Sequence, residues 1–295
     1  MRRFLILFCL LSALALTAPP VETQMRGGKG FKGEGMGGGT MGGGPSESTG
    51  SGLRLPPEIV GAFAPRGATM EHMKAKGFFA TGLEPVYPKE AKCLEVESTF
   101  GSWTRSDGSY RSRQFYFGYH GGMDIPAPEG TPILAVAAGT VVHKFVGTGI
   151  GGIGVVLQHA PQDTGLPSWT YTEYKHLREM ADVKIGQRVE MGEVIAHAGD
   201  TGTRGGHYGE AGFSHLHLSA YFSLQKDFIT ALFFAPVDGQ WLDPLALFRG
   251  PPLSSAEIHD LPGDRKRVRF AYKTSDGKVV PEGAKLIWPF ACKPR

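Results

Sequence analysis

Residues 214–222 read SHLHLSAYF, and how these nine residues are extended decides the fold. His215 and His217 alternate with Leu216 and Leu218, the period of a strand, in which successive side chains leave on opposite faces. As a strand the segment turns both imidazoles one way and both leucines into the layer behind.

Working outward, runs rich in apolar, β-branched and aromatic residues occupy 131–137, 140–146, 154–159, 169–177 and 193–198. Gly139, Gly152 and Gly192 lie at or near their ends, as turns between short strands require. The expectation is a mainly β, open antiparallel sheet domain over residues 93–250, with flanking N- and C-terminal extensions. Glycine makes up 43 of 295 residues, which argues against a helical bundle because glycine weakens helix interiors. At 41% hydrophobic and 20% charged, the composition excludes wholesale disorder and a multi-pass membrane protein.

The flanks differ in texture. Residues 1–18 open with Arg2 and Arg3 and continue as an apolar run. As a helix that run spans about 22 Å, short of a hydrocarbon core near 30 Å, so it reads as a signal peptide with no membrane span left after cleavage. Ala13 and Ala15, or Ala18, suit the cleavage, and Phe8 before Cys9 gives no lipobox. A secreted or periplasmic location follows. Residues 19–52 are a glycine-rich flexible tether. Residues 53–92 form a proline-punctuated flank with a short helix expected around 68–76. Residues 251–295 form a C-terminal extension whose segment 267–273, RVRFAYK, reads as one alternating basic strand. It is either a solvated edge or a contact for an anionic wall polymer.

Losing Arg2 and Arg3 lowers the formal charge from +3 to +1, too little for nucleic-acid binding. It also removes Cys9, leaving Cys93 and Cys292. In an oxidising compartment these either pair within the chain or stay as two buried thiols.

Two spacings carry chemistry. His120 and Asp124 lie in GYHGGMD, where two glycines argue for a loop bringing imidazole and carboxylate together. His215 and His217 share a strand face, and His176 ends another strand. Either motif alone is expected about 0.3–0.4 times by chance, so only their combination points to a metal. Catalytic zinc favours three ligands of the His and carboxylate type with a fourth position open; His120, Asp124 and one histidine of the pair supply that number.

With these motifs in place, residues 93–250 resemble the lysostaphin-type (LytM-like) zinc metalloendopeptidases, which are peptidoglycan hydrolases. The matching positions, in order, are Phe100-Gly101, His120 with Asp124, Gly130-Thr131-Pro132, Ala138-Gly139-Thr140-Val141, Tyr174 with His176-Leu177, Gly186 with Val189 and Gly192, Gly199 with Gly202, and His215 with His217. The resemblance implies one zinc per chain held by His120, Asp124 and His217, His176 and His215 as the unliganded catalytic pair, and a peptidoglycan peptide as substrate. It also implies the open-sheet groove fold. Either histidine then acts as base while the other steadies the oxyanion. A non-enzymatic LytM-like regulator of a wall amidase is the second reading; such relatives lose ligands, and none is lost here.

Further expectations concern the surroundings. Tyr116 or Tyr119 either donates to the oxyanion or packs in the groove wall, and Trp103 and Trp169 either line a glycan-facing groove or pack in the core. His159 is expected to be a hydrogen-bonded structural residue, and His72, His143, His197 and His259 surface or core residues. The segment 205–212, with His207 and Glu210, is expected to shape the groove. The family commonly follows its HxH with an aromatic and an acidic residue. Here Leu218-Ser219 stand instead, so the ligands' orientation is expected to come from elsewhere.

Overall fold

The computed structural model describes residues 55–147, 149–230 and 233–295. The expected signal peptide and tether lie outside them. Among the described residues no helix is long and apolar enough to cross a membrane.

Seven antiparallel strands form the central sheet: β1 (Met123–Pro126), β2 (Gly139–Gly147), β3 (Gly152–His159), β4 (Trp169–Lys175), β5 (Arg188–Val189), β6 (His215–Ser223) and β7 (Gln240–Leu242). Their order is β7-β6-β4-β3-β2-β5. β1 pairs with residues 215–218 of β6 and β7 with residues 220–222, so the two share one edge of that strand. The run at 131–137 shortens to Pro132–Leu134 and leaves this sheet to pair with Val194–His197.

The two faces of β6 explain the architecture. Leu216, Leu218 and Ala220 are fully buried in one apolar cluster with Val155, Leu157, Trp288 and Phe290. Burying each leucine side chain stabilises the fold by about 1.5–3 kcal/mol. On the other face Tyr221 enters a second cluster with Tyr171, Trp241, Phe63 and Phe78. Two short helices from the N-terminal flank, Pro57–Phe63 and Met70–Ala75, cover that end, and Trp241 Nε1 donates to the Ala62 carbonyl at 3.0 Å. The second helix lies where residues 68–76 promised one, and the Thr69 hydroxyl accepts from the His72 amide to cap it.

Cys93 and Cys292 form a disulfide across a sequence separation of 199. Beside it Ala91–Lys92 pairs with Lys293–Pro294. The segment 267–273 is not one strand. Arg267–Arg269 pairs with Glu84–Val86, whereas Tyr272–Lys273 pairs with Val279–Val280. The ladder changes partner because Phe270 is stacked on Trp288 at 4.1 Å and the Ala271 carbonyl accepts the Trp288 amide.

Candidate metal centre

Backbone register assembles the site. His217 on β6 lies opposite Asp124 on β1 and, on its other side, opposite Lys175 at the end of β4. His120 arrives from the loop before β1. A Cβ on Gly122 would fall 2.3 Å from the Leu218 carbonyl oxygen and 2.8 Å from His217 Nε2, so only glycine lets this loop close on β6. The sequence reading put the His120–Asp124 pair in a loop. The structure places only His120 there, because Asp124 pairs with β6.

His120 Nε2 stands 2.9 Å from Asp124 Oδ1 and 3.0 Å from His217 Nδ1, and His217 Nδ1 is 2.9 Å from the same carboxylate oxygen. His176 and His215 adjoin this triangle. Their ring centroids are 4.5 Å apart, His176 is 5.9 Å from the His217 ring, and His215 Nε2 is 3.5 Å from Asp124 Oδ1. All five side chains are buried. His176 follows β4 directly with a positive φ of 61°, a strained conformation for a non-glycine residue that the surrounding structure must hold in place.

Hydrogen bonds fix the tautomers. His120 Nδ1 is 2.9 Å from the Thr99 carbonyl, His176 Nδ1 is 2.7 Å from the Thr201 carbonyl, and His215 Nδ1 is 2.8 Å from the Phe213 carbonyl. A carbonyl only accepts, so each Nδ1 carries the proton and each neutral ring keeps a bare Nε2. The His217 Nε2 has Ser219 Oγ at 3.0 Å. Ser219 thus supplies the orienting contact that the Leu218-Ser219 departure was expected to leave to other residues.

Electrostatics favour the neutral form at His120, His176 and His217, and the charged form at His215. Burial pushes the Asp124 carboxyl up, but the charges and hydrogen bonds of His120 and His215 more than reverse this and hold it well below the usual carboxylate range. Burial lowers His120 and His217, and lowers His176 to about 3. Burial also opposes charging His215, yet Asp124 outweighs it and raises that imidazole. Arg111 Nη2 lies 3.3 Å from Asp124 Oδ2 and donates to Ser98 Oγ at 2.6 Å.

The donor set fits a small divalent cation. His120 Nε2, Asp124 Oδ1 and His217 Nδ1 form a triangle with sides of 2.9–3.0 Å. Tetrahedral zinc with bonds near 2.0–2.1 Å needs ligand separations of about 3.3 Å, so an outward shift of a few tenths of an ångström suffices. An ionised carboxylate beside a bare imidazole nitrogen calls for a positive charge between them.

Other candidates fall elsewhere. Tyr116 packs edge-on against Trp241 at 5.3 Å and Tyr119 against Phe78 at 6.2 Å, so both belong to the wall; burial pushes Tyr116 up to about 12. His159 is buried, with its nitrogens on the Ala138 carbonyl and Thr172 Oγ1, both at 2.8 Å. Trp169 packs against the second cluster, whereas Trp103 is 61% exposed beside Tyr110. His207 pairs with Asp107 at 2.7 Å and Glu210 is exposed, so neither joins the cluster. The 205–212 segment reaches the site by stacking instead: Tyr208 on Phe213 and Phe213 on His215, each at 4.7 Å. Of His72, His143, His197 and His259, none touches the triangle. Arg111 and Ser98 were missed by sequence reasoning, since nothing in RSR or EST marks them. Ser219 had a signal, its place two residues beyond His217 on the same strand face.

The Asp124 carboxylate and the imidazoles of His120 and His217 form a candidate metal site, with two further imidazoles beside it on the antiparallel sheet. Residues 118–227 match the model of Peptidase family M23. An uncharacterized metalloprotease of Haemophilus influenzae is 37% identical over 98 residues, and a lipoprotein NlpD/LppB homolog of Pseudomonas aeruginosa is 39% identical over 85. These cover 33% and 28% of this chain; the chain spans 18% and 25% of the length of the two relatives. Among solved structures, that of LytU is similar at 23% identity and a TM-score of 0.37, covering 60% of this chain and 99% of that one.

Proposed function

We propose that the chain is a secreted or periplasmic zinc endopeptidase that hydrolyses peptide bonds in peptidoglycan stem peptides or cross-bridges. The carrying observation is the triangle of His120, Asp124 and His217, flanked by two imidazoles whose Nε2 atoms are bare. The lysostaphin-type motifs and the family M23 match support the reading, and an export signal in residues 1–18 would deliver the chain to its substrate.

In this reading His120, Asp124 and His217 hold one zinc. When bound, zinc supplies Lewis-acid chemistry, polarising a carbonyl and making water easier to deprotonate near neutral pH. His176 and His215 handle protons. A bare Nε2 cannot donate to a developing oxyanion; it must first accept a proton from the attacking water. The imidazolium so formed then donates to the oxyanion or to the leaving amine, while the carbonyl of Thr201 or Phe213 keeps the ring in place. Ionised Asp124 beside His215 stabilises that imidazolium.

The test is elemental analysis of the purified chain, followed by mass spectrometry of muropeptides released from isolated sacculi. One zinc per chain and new amine termini are expected, both lost in folded His120→Ala and His217→Ala variants. Variants that cut as well as the parent would overturn the proposal.

A further inference from the structure

Exposed aromatic rings cluster on the segment that leads into β1. Trp103 is 61% exposed, Tyr110 72% and Phe117 39%. Single apolar residues at the surface need no explanation, but a contiguous set beside a cleft marks a binding surface. With Tyr119, Arg111 and Arg113 these rings line a cleft of about 360 Å³, large enough for a side chain and its neighbours. The cleft borders the metal centre, because Arg111 Nη2 lies 3.3 Å from Asp124 Oδ2 and Tyr119 immediately precedes His120.

The backbone holds the cleft in shape. The Arg111 amide donates to the Trp103 carbonyl, and the rings of Trp103 and Tyr110 meet edge-on at 5.7 Å. Tyr116 and Phe117 have positive φ of 43° and 54°. Two successive non-glycine residues there are strained, and the turn they form leaves Phe117 at the surface while Tyr116 packs against Trp241.

Charge indicates what the cleft takes. Residues 103–119 contain Arg105, Arg111 and Arg113 against one acid, Asp107, which already pairs with His207 at 2.7 Å. Arg111 is occupied by Ser98 and Asp124. The Arg113 guanidinium lies over the Phe117 ring, 4.8 Å from its centroid, and among the described residues it has no carboxylate partner and no hydrogen-bond acceptor. Its N–H donors form a fork that matches a carboxylate. We propose that the cleft is a substrate subsite in which Arg113 pairs with a free carboxylate beside the scissile peptide bond, while the aromatic rings cover the apolar part of the same residue. The subsite selects acidic stem peptides over neutral cross-bridges such as glycine chains. This inference rests on the endopeptidase reading above and narrows its substrate.

The test separates binding from cleavage. Two synthetic stem-type peptides, identical except for a carboxylate or a carboxamide on the residue next to the scissile bond, are titrated calorimetrically into the full-length, zinc-loaded His215→Ala chain. The acid should bind about 5–20-fold tighter than the amide, and the preference should shrink as salt rises from about 0.05 to 0.5 M. Adding Arg113→Gln should bring the two peptides within about twofold of each other by weakening the acid alone. Adding Trp103→Ala should weaken both alike. Equal binding of the two peptides without Arg113→Gln, or a preference that survives it, would overturn the inference and leave the proposed function standing. So would an uncharged N-acetylglucosamine oligosaccharide that binds tighter than the acid and is lost in Trp103→Ala. Failure of the zinc-loaded parent to cut either peptide, with the binding preference intact, would instead overturn the proposed function.

Discussion

His217 and Asp124 are register partners across β6 and β1, and their Nδ1 and Oδ1 atoms lie 2.9 Å apart. The centre is therefore built by strand pairing, and whatever disturbs the approach of β1 to β6 disturbs the donor set. Gly122 is the sensitive point, since a Cβ there would meet the Leu218 carbonyl at 2.3 Å. Gly122→Ala should abolish high-affinity zinc binding, measured by chelator competition, and destabilise the fold by about 1–3 kcal/mol in urea unfolding.

The ligand and proton-transfer roles should separate by mutation. His215→Ala should retain zinc in elemental analysis and lower kcat by about 10²–10⁴, the usual worth of general acid–base catalysis. His120→Ala should lose both metal and turnover.

Asp243 gives a stability signature unrelated to the metal. Burial raises its carboxyl to about 6, although Thr81 and the Leu245 amide donate to it. An acid whose folded pKa is raised binds its proton more tightly in the folded state, so stability falls as pH rises from about 4 to 6. The loss attributable to Asp243 should be about 3 kcal/mol. The difference in unfolding free energy between the parent and Asp243→Asn, followed across that range, should change by this amount and level off above pH 6.

Reduction of the Cys93–Cys292 bridge should lower stability by about 3–5 kcal/mol, as expected for a closed loop of about 200 residues in the chain-entropy model. Urea midpoints with and without reductant, compared with a Cys292→Ala variant, measure it.

Much of the site was legible in the sequence because strand periodicity is local. The alternation around His217 gave the shared face, and the sheet runs at 140–146, 154–159 and 169–177 appear within a few residues of their expected ends. What stayed hidden depends on partners far along the chain. Arg111 reaches Asp124 from a loop, and three backbone carbonyls at Thr99, Thr201 and Phe213 set the histidine tautomers with no residue type to betray them. Ser219 lies two residues beyond His217 on the same strand face, but only the structure shows its hydroxyl 3.0 Å from His217 Nε2. The 267–273 segment kept its alternation but not its continuity, since only the burial of Phe270 on Trp288 shows where the ladder changes partner.

The Cys93–Cys292 bond also ties together two residues 199 positions apart. A protease that nicks any exposed loop between them leaves two fragments still covalently joined. On a denaturing gel such a clipped molecule would run as one species until reductant is added.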